Sequence, residues 1–152
     1  MASSLQKYPY PLEVNVGNFV SVKLSQANYS VWKPLMLCLI ETCGFVGFID
    51  GDISAPPERI TVQDDSSAND TKEIKNQDYE DWKKSDALLR GWILGTLSED
   101  LLQYVVDMKT AKDTWIALQK ILSEEEAPTR YPYPSDVNVG NFVPVKLSQT
   151  NY

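Results

Sequence analysis

The chain has 152 residues, 43% of them hydrophobic, which is enough for one domain with a real core. It contains no histidine, so Ser-His-Asp and Cys-His catalysis are excluded. No run of 18 apolar residues exists to form a membrane-spanning helix. The formal charge is −7; residues 8–29 and 131–152 are each neutral and Lys7 is positive, so residues 30–130 carry −8, the wrong sign for a phosphate backbone.

Met1 to Lys7 lacks the apolar stretch of a secretory signal, and a cytoplasmic protein is expected. Four Trp, eight Tyr and four Phe predict an aromatic-rich core. From residue 8 the chain reads YPYPLEVNVGNFVSVKLSQANY, and from residue 131 it reads YPYPSDVNVGNFVPVKLSQTNY. The two segments are identical at 18 of 22 positions at an offset of 123; they differ at Leu12/Ser135, Glu13/Asp136, Ser21/Pro144 and Ala27/Thr150. The domain is therefore set at residues 8–126, with 127–152 as the opening of a second copy. Either a tandem array is truncated there, or the second copy has a task of its own.

Within each copy, Gly17-Asn18 between Val14-Asn15-Val16 and Phe19 to Leu24 has the form of a two-residue β-hairpin. Val20, Val22 and Leu24 would make one apolar strand face. Pro144 removes a ladder donor from the second copy and demotes its strand to an edge. The Tyr-Pro-Tyr-Pro leads are expected to be extended, because each proline disfavours helix in the residue before it.

A first helix is predicted from about Asn28 or Ser30 to Cys43, with Trp32, Met36, Leu39 and Cys43 on one stripe. Asn28 is its expected cap, and Pro34 belongs in a first turn, so a late start or a bend is expected there. Gly44 closes it, and Phe45, Val46, Phe48 and Ile49 are expected to dock on the core before an Asp50-Gly51 turn. Cys38 and Cys43 lie about 140° apart around the helix axis, too divergent to bridge, and read as reduced core thiols. Residues 51–75, with Pro56-Pro57 and Asp64-Asp65-Ser66-Ser67, are expected to form a long irregular loop.

A second helix is predicted over about 77–96, with Tyr79, Trp82, Leu89, Ile93 and Thr96 inward. Ser98 is expected to cap a short third helix carrying Leu101, Leu102, Val105 and Val106. Thr110 with Asp113 resembles a capping box for the fourth, whose stripe is Ala111, Trp115, Leu118 and Leu122; Glu124 to Glu126 and Pro128 are expected to end it. The fold class is mainly α: a compact helical bundle of about four helices, an N-terminal β-hairpin and a repeated hairpin segment at the C-terminus.

Four stretches carry a family resemblance. They are Lys23-Leu24-Ser25-Gln26-Ala27-Asn28-Tyr29-Ser30-Val31-Trp32; Phe48-Ile49-Asp50-Gly51 with Pro56; Trp82, Ser85, Asp86 and the Leu88 to Leu97 run; and Thr110-Ala111-Lys112-Asp113-Thr114-Trp115 with Leu118. In this order, over about residues 14–122, they resemble the N-terminal Gag-like region of plant copia-type retrotransposons. The resemblance implies a helical, non-enzymatic module that self-associates into particles, or a domesticated adaptor that binds other proteins. It also implies an alternative, a nucleic-acid-binding Gag protein that packages element RNA. Gag chains commonly add a zinc knuckle, and with no His and only Cys38 and Cys43 none is present here, so nucleic acid is not an expected partner of this stretch.

No cofactor, metal or catalytic residue is expected. Asp64, Asp65 and Asp70 match no EF-hand spacing, and Asp65-Ser66-Ser67 fails the retroelement protease signature at its third position. Asn28-Tyr29-Ser30 and Asn69-Asp70-Thr71 match the glycosylation sequon, and without a signal they read as chance. Trp32, Trp82 and Trp115 read as core. The candidate partner-binding residues are Trp92, one position off the Ile93 stripe and placed between core and rim, and Val143, Val145 and Leu147 on the apolar face of the second copy.

Overall fold

In a computed structural model, residues 6–66 and 69–130 are described, with side chains to Ser123. The order of elements is α1 (Tyr29–Thr42), α2 (Val46–Asp50), β1 (Arg59–Gln63), β2 (Thr71–Lys75), α3 (Gln77–Gly95), α4 (Glu99–Val105) and α5 (Ala111–Arg130). Among the described residues the fold is helix-rich with one two-stranded antiparallel sheet. Contacts divide the chain into two units, Met1–Ile116 and Ala117–Tyr152, and α5 runs from the first into the second. Among the described residues, no helix is long and apolar enough to cross a membrane.

The helices follow the apolar periodicity. On α1, Trp32, Met36, Leu39 and Ile40 are buried, and Gly44 ends the helix at φ 79°, a conformation that suits a residue without Cβ. Pro34 lies in the second turn rather than the first, where it costs α1 one internal hydrogen bond. On α3 the buried face comprises Trp82, Ser85, Asp86, Leu89, Trp92 and Ile93. Leu101 and Val105 of α4 are buried, whereas Val106 is exposed, and Ser98 precedes the helix without a side-chain cap, its backbone carbonyl accepting from Leu101 and Leu102 instead. At the start of α5, the Asp113 N–H donates to the Thr110 hydroxyl at 3.0 Å, and Ala111 and Trp115 face inward. In the second unit, Leu118 and Leu122 are buried on the same helix. The α5 backbone continues through Pro128 to Arg130, against the expected stop, because a proline removes one donor without obliging the helix to end.

The N-terminal hairpin is corrected. Val14 to Leu24 contains no strand ladder; Val16–Asn18 is a single 3-10 turn. The Asn15 side chain accepts the Gly17 N–H at 3.0 Å, and the Val20 N–H reaches the Val16 carbonyl at 2.8 Å. A type I′ hairpin needs positive φ at both central residues, and Gly17 does not adopt it. Leu24 instead makes an isolated parallel bridge to Leu97.

The hairpin of this protein lies inside the expected irregular loop. Strands β1 and β2 pair from Arg59↔Lys75 to Gln63↔Thr71, with Ile60 opposite Ile74. Both strands are almost wholly exposed, so their composition is that of a loop even though Ile60, Val62 and Ile74 favour strand. An isolated ribbon of this kind is marginal by itself, and Asn76 clamps its base. The Asn76 N–H donates to the Glu58 carbonyl at 3.0 Å, its side-chain amide donates to the Pro57 carbonyl at 2.8 Å, and its Oδ1 caps α3 by accepting from Asp78.

Candidate interaction surface

The aromatic residues form a connected core in the first unit. Trp32 and Trp115 rings lie 5.7 Å apart, and Phe48 stacks on Trp82 at 5.8 Å. Phe45 sits edge-on to both Phe48 and Trp92, at 5.5 and 5.4 Å. Trp92 is therefore a core residue only 6% exposed, and it offers no rim for a partner. Its one-position offset from Ile93 still falls within the buried arc because Phe45 covers that side. Trp32, Trp82 and Trp115 are buried as the stripes predict. Val143, Val145 and Leu147 lie outside the described residues.

The buried polar groups serve the fold. The Trp32 indole N–H donates to the Thr96 hydroxyl at 3.1 Å, and the Trp82 indole N–H donates to the Ile53 carbonyl at 2.9 Å. The Asp86 carboxylate accepts the Ala111 N–H with its two oxygens at 3.1 and 3.3 Å, tying α3 to the first turn of α5. Burial pushes the Asp86 pKa up, opposed by that hydrogen bond and by the Arg90 charge. Beside it a small apolar cavity of ≈ 150 Å³ opens between Phe48, Ile53, Trp82 and Lys112. The Asp86 carboxylate is the acceptor at the N-terminal end of α5.

Among the described residues, no group of three or more His, Cys, Asp or Glu side chains could hold a metal ion. Asp64 is spent on the hairpin loop, where it accepts from the Ser66 N–H and hydroxyl. Asn28 does not cap α1 through its side chain. It closes the preceding turn instead, accepting from the Ser25 N–H and donating to the Lys23 carbonyl, both at 2.8 Å. Both cysteines are free, but Cys38 is exposed rather than core. Their divergence around α1 allows only one to turn inward, and Cys43 is the half-buried one. Burial, with a smaller effect from Glu13, raises the Cys43 pKa.

Two features of the surface bear on partners. On α1 the outward side is also apolar: Val31, Leu35 and Cys38 recur at i, i+4 and i+7, with Val31 52% and Leu35 37% exposed. Those positions were open to sequence reasoning, but the stronger Trp32 stripe claims the same helix. The other feature is the seat of the N-terminal segment. The Leu24 N–H donates to the Thr96 carbonyl at 2.7 Å, and the Ser98 N–H donates to the Leu24 carbonyl at 2.9 Å. The Lys23 ammonium reaches the Gly95 carbonyl at 2.6 Å. The Tyr8 hydroxyl donates to Asp78 at 3.0 Å while its ring meets the edge of Phe48. No local pattern signals these long-range contacts.

Over 110 residues, 72% of this chain, the sequence is 32% identical to the Retrovirus-related Pol polyprotein from transposon RE1 of Arabidopsis thaliana. It is also 32% identical, over the same length, to the Retrovirus-related Pol polyprotein from transposon RE2 of that plant. The chain spans 7% of the length of each relative. No family model and no solved structure matches. The similarity gives the chain a copia-type retrotransposon origin.

Proposed function

We propose that this chain is a non-enzymatic, Gag-like module that self-associates, working in the cytoplasm. The observation that carries this reading is the second apolar face of α1. The helix buries Trp32, Met36 and Leu39 on one side and presents Val31, Leu35 and Cys38 on the other. A helix that is apolar on both sides is normally covered on both sides.

A second copy of the chain is the occupant that fits. The acidic body, −8 over residues 30–130, opposes nucleic acid. α1 itself carries only Lys33 and Glu41, so two copies of this face meet without like-charge repulsion. The copia-type retrotransposon origin fits an element-encoded assembling module.

Light scattering across a concentration series tests the proposal. The intact chain is expected to exceed its 17.2 kDa monomer mass as concentration rises. A Val31→Asp, Leu35→Asp variant is expected to stay monomeric while keeping its helical circular dichroism. A monomer at every concentration would overturn the proposal. Tight binding of single-stranded RNA that falls steeply with salt would put RNA packaging in its place.

A further inference from the structure

Residues 7–29 form a strap across the first unit, held at few points. Tyr8, Val20, Leu24 and Tyr29 are buried, Leu24 completely. Lys7 pairs with Asp78 at 3.1 Å beneath the Tyr8 hydroxyl, and Leu24 bridges the backbone of Thr96 and Ser98. The rest of the strap is largely solvent-facing.

Set against this geometry, the repeat acquires a pattern. At the offset of 123, the four buried anchors recur unchanged as Tyr131, Val143, Leu147 and Tyr152. Lys7 recurs as Arg130, so the cation for Asp78 is kept one residue beyond the identical stretch. All four differences fall on exposed positions of the strap: Leu12, Glu13, Ser21 and Ala27. The Ser21 N–H takes no part in the backbone bonds that hold the strap, so proline at 144 removes none of them. Every side chain that docks is retained, and only side chains facing water have changed.

We propose that residues 130–152 are a second strap, which docks on the Phe48, Asp78 and Thr96–Ser98 seat of another copy of this chain whenever that copy's own strap is displaced. The chain's own strap is tethered beside its seat and holds the advantage of a high effective concentration. Exchange is therefore a minority event in the intact protein and the main event once the first strap is broken. Exchange of an equivalent element between copies, head to tail, builds dimers or open chains at little cost. The proposal rests on the assembly reading only in naming a second copy as partner, and it uses a different surface from the outer face of α1.

The test uses the full-length chain. A Leu24→Asp variant is expected to stay folded and, at each concentration, to form larger species than the intact chain in light scattering. Leu24→Asp combined with Leu147→Asp is expected to lose the association that Leu24→Asp adds to that of the intact chain, and part of the denaturant midpoint. Identical behaviour of the single and double variants would overturn the proposal. A fluorescein-labelled peptide of residues 130–152 guards against simple misfolding. Added to the Leu24→Asp protein, it should raise anisotropy and restore any lost helicity, and its Leu147→Asp form should bind at least about 30-fold more weakly, as for emptying a buried leucine site. No anisotropy change and no recovery would overturn the proposal. The two readings separate cleanly. Peptide uptake by Leu24→Asp in a chain that is otherwise monomeric keeps the strap and ends the assembly reading. An intact chain that associates while single and double variants behave alike does the reverse.

Discussion

The indole N–H of Trp32 ends on the hydroxyl of Thr96, 3.1 Å away, and that hydroxyl faces the Trp92 and Ile93 carbonyls at 3.1 and 2.9 Å. One threonine thus receives the polar atom of the central α1 tryptophan and returns its own proton to the last turn of α3. Its backbone carbonyl receives Leu24 as well, so Thr96 joins α1, α3 and the N-terminal strap. Thr96→Val keeps the shape and removes the hydroxyl. The buried indole N–H is then unpaired, and a loss of roughly 1–3 kcal/mol is expected. Urea unfolding followed by tryptophan fluorescence measures it. An unchanged midpoint would mean that the indole finds another acceptor.

Trp115 packs on Trp32 and is 5% exposed, while Lys112, one turn earlier on α5, is exposed. Trp115→Ala should cost about 3–5 kcal/mol, the range for emptying a large aromatic site. Lys112→Ala should stay within about 0.5 kcal/mol. Denaturant midpoints of the two variants decide it, and equal small shifts would contradict the packing of α5 on α1.

Asp86 predicts a pH dependence with a definite sign. Burial raises its folded pKa above the unfolded value, so the folded protein holds this proton more tightly than the unfolded chain. Its contribution to stability therefore grows as pH falls from the raised folded value towards the ordinary carboxyl value, and is lost as pH rises through the same window. Asp86→Asn keeps an acceptor for the Ala111 N–H and carries no charge. Wild type should gain on this variant as the pH is lowered from neutral into the acid range, read as the difference between their urea midpoints. A difference that moves the other way would show a carboxylate stabilised in its charged form.

Two glycines should respond oppositely to alanine. Gly91 is an exposed α3 residue where an added Cβ meets nothing within 4 Å, so Gly91→Ala should stabilise by roughly 0.5–1 kcal/mol. Gly51 ends α2 at φ 95°, and an added Cβ would stand 2.9 Å from the Lys112 ammonium. Gly51→Ala should destabilise by about 1 kcal/mol or more. Thermal melts of the pair would show Tm shifts of opposite sign.

Which parts of this protein its sequence decides follows from the range of the forces involved. The faces of α1, α3 and α5 are legible because helix periodicity is local: Trp32, Met36 and Leu39 must share a side once the segment is helical, and so must Ala111, Trp115, Leu118 and Leu122. The end of α1 at Gly44 is equally local, since only its backbone takes φ 79° without strain. The segment from Val14 to Leu24 was not decided that way. Gly17-Asn18 suits a hairpin turn and a 3-10 turn alike, and the choice fell to the Asn15 side chain and to Leu97, 73 residues from its partner Leu24. The ribbon of β1 and β2 buries almost nothing and so leaves no apolar pattern; it depends on Asn76, which holds both sides of its base. Trp92 was ambiguous on α3 until Phe45 covered it from another element. Helices carry their hydrogen bonds within themselves and can be read in place, whereas a strap, a bare ribbon or a borderline tryptophan takes its partners from distant chain, and only the tertiary structure supplies them.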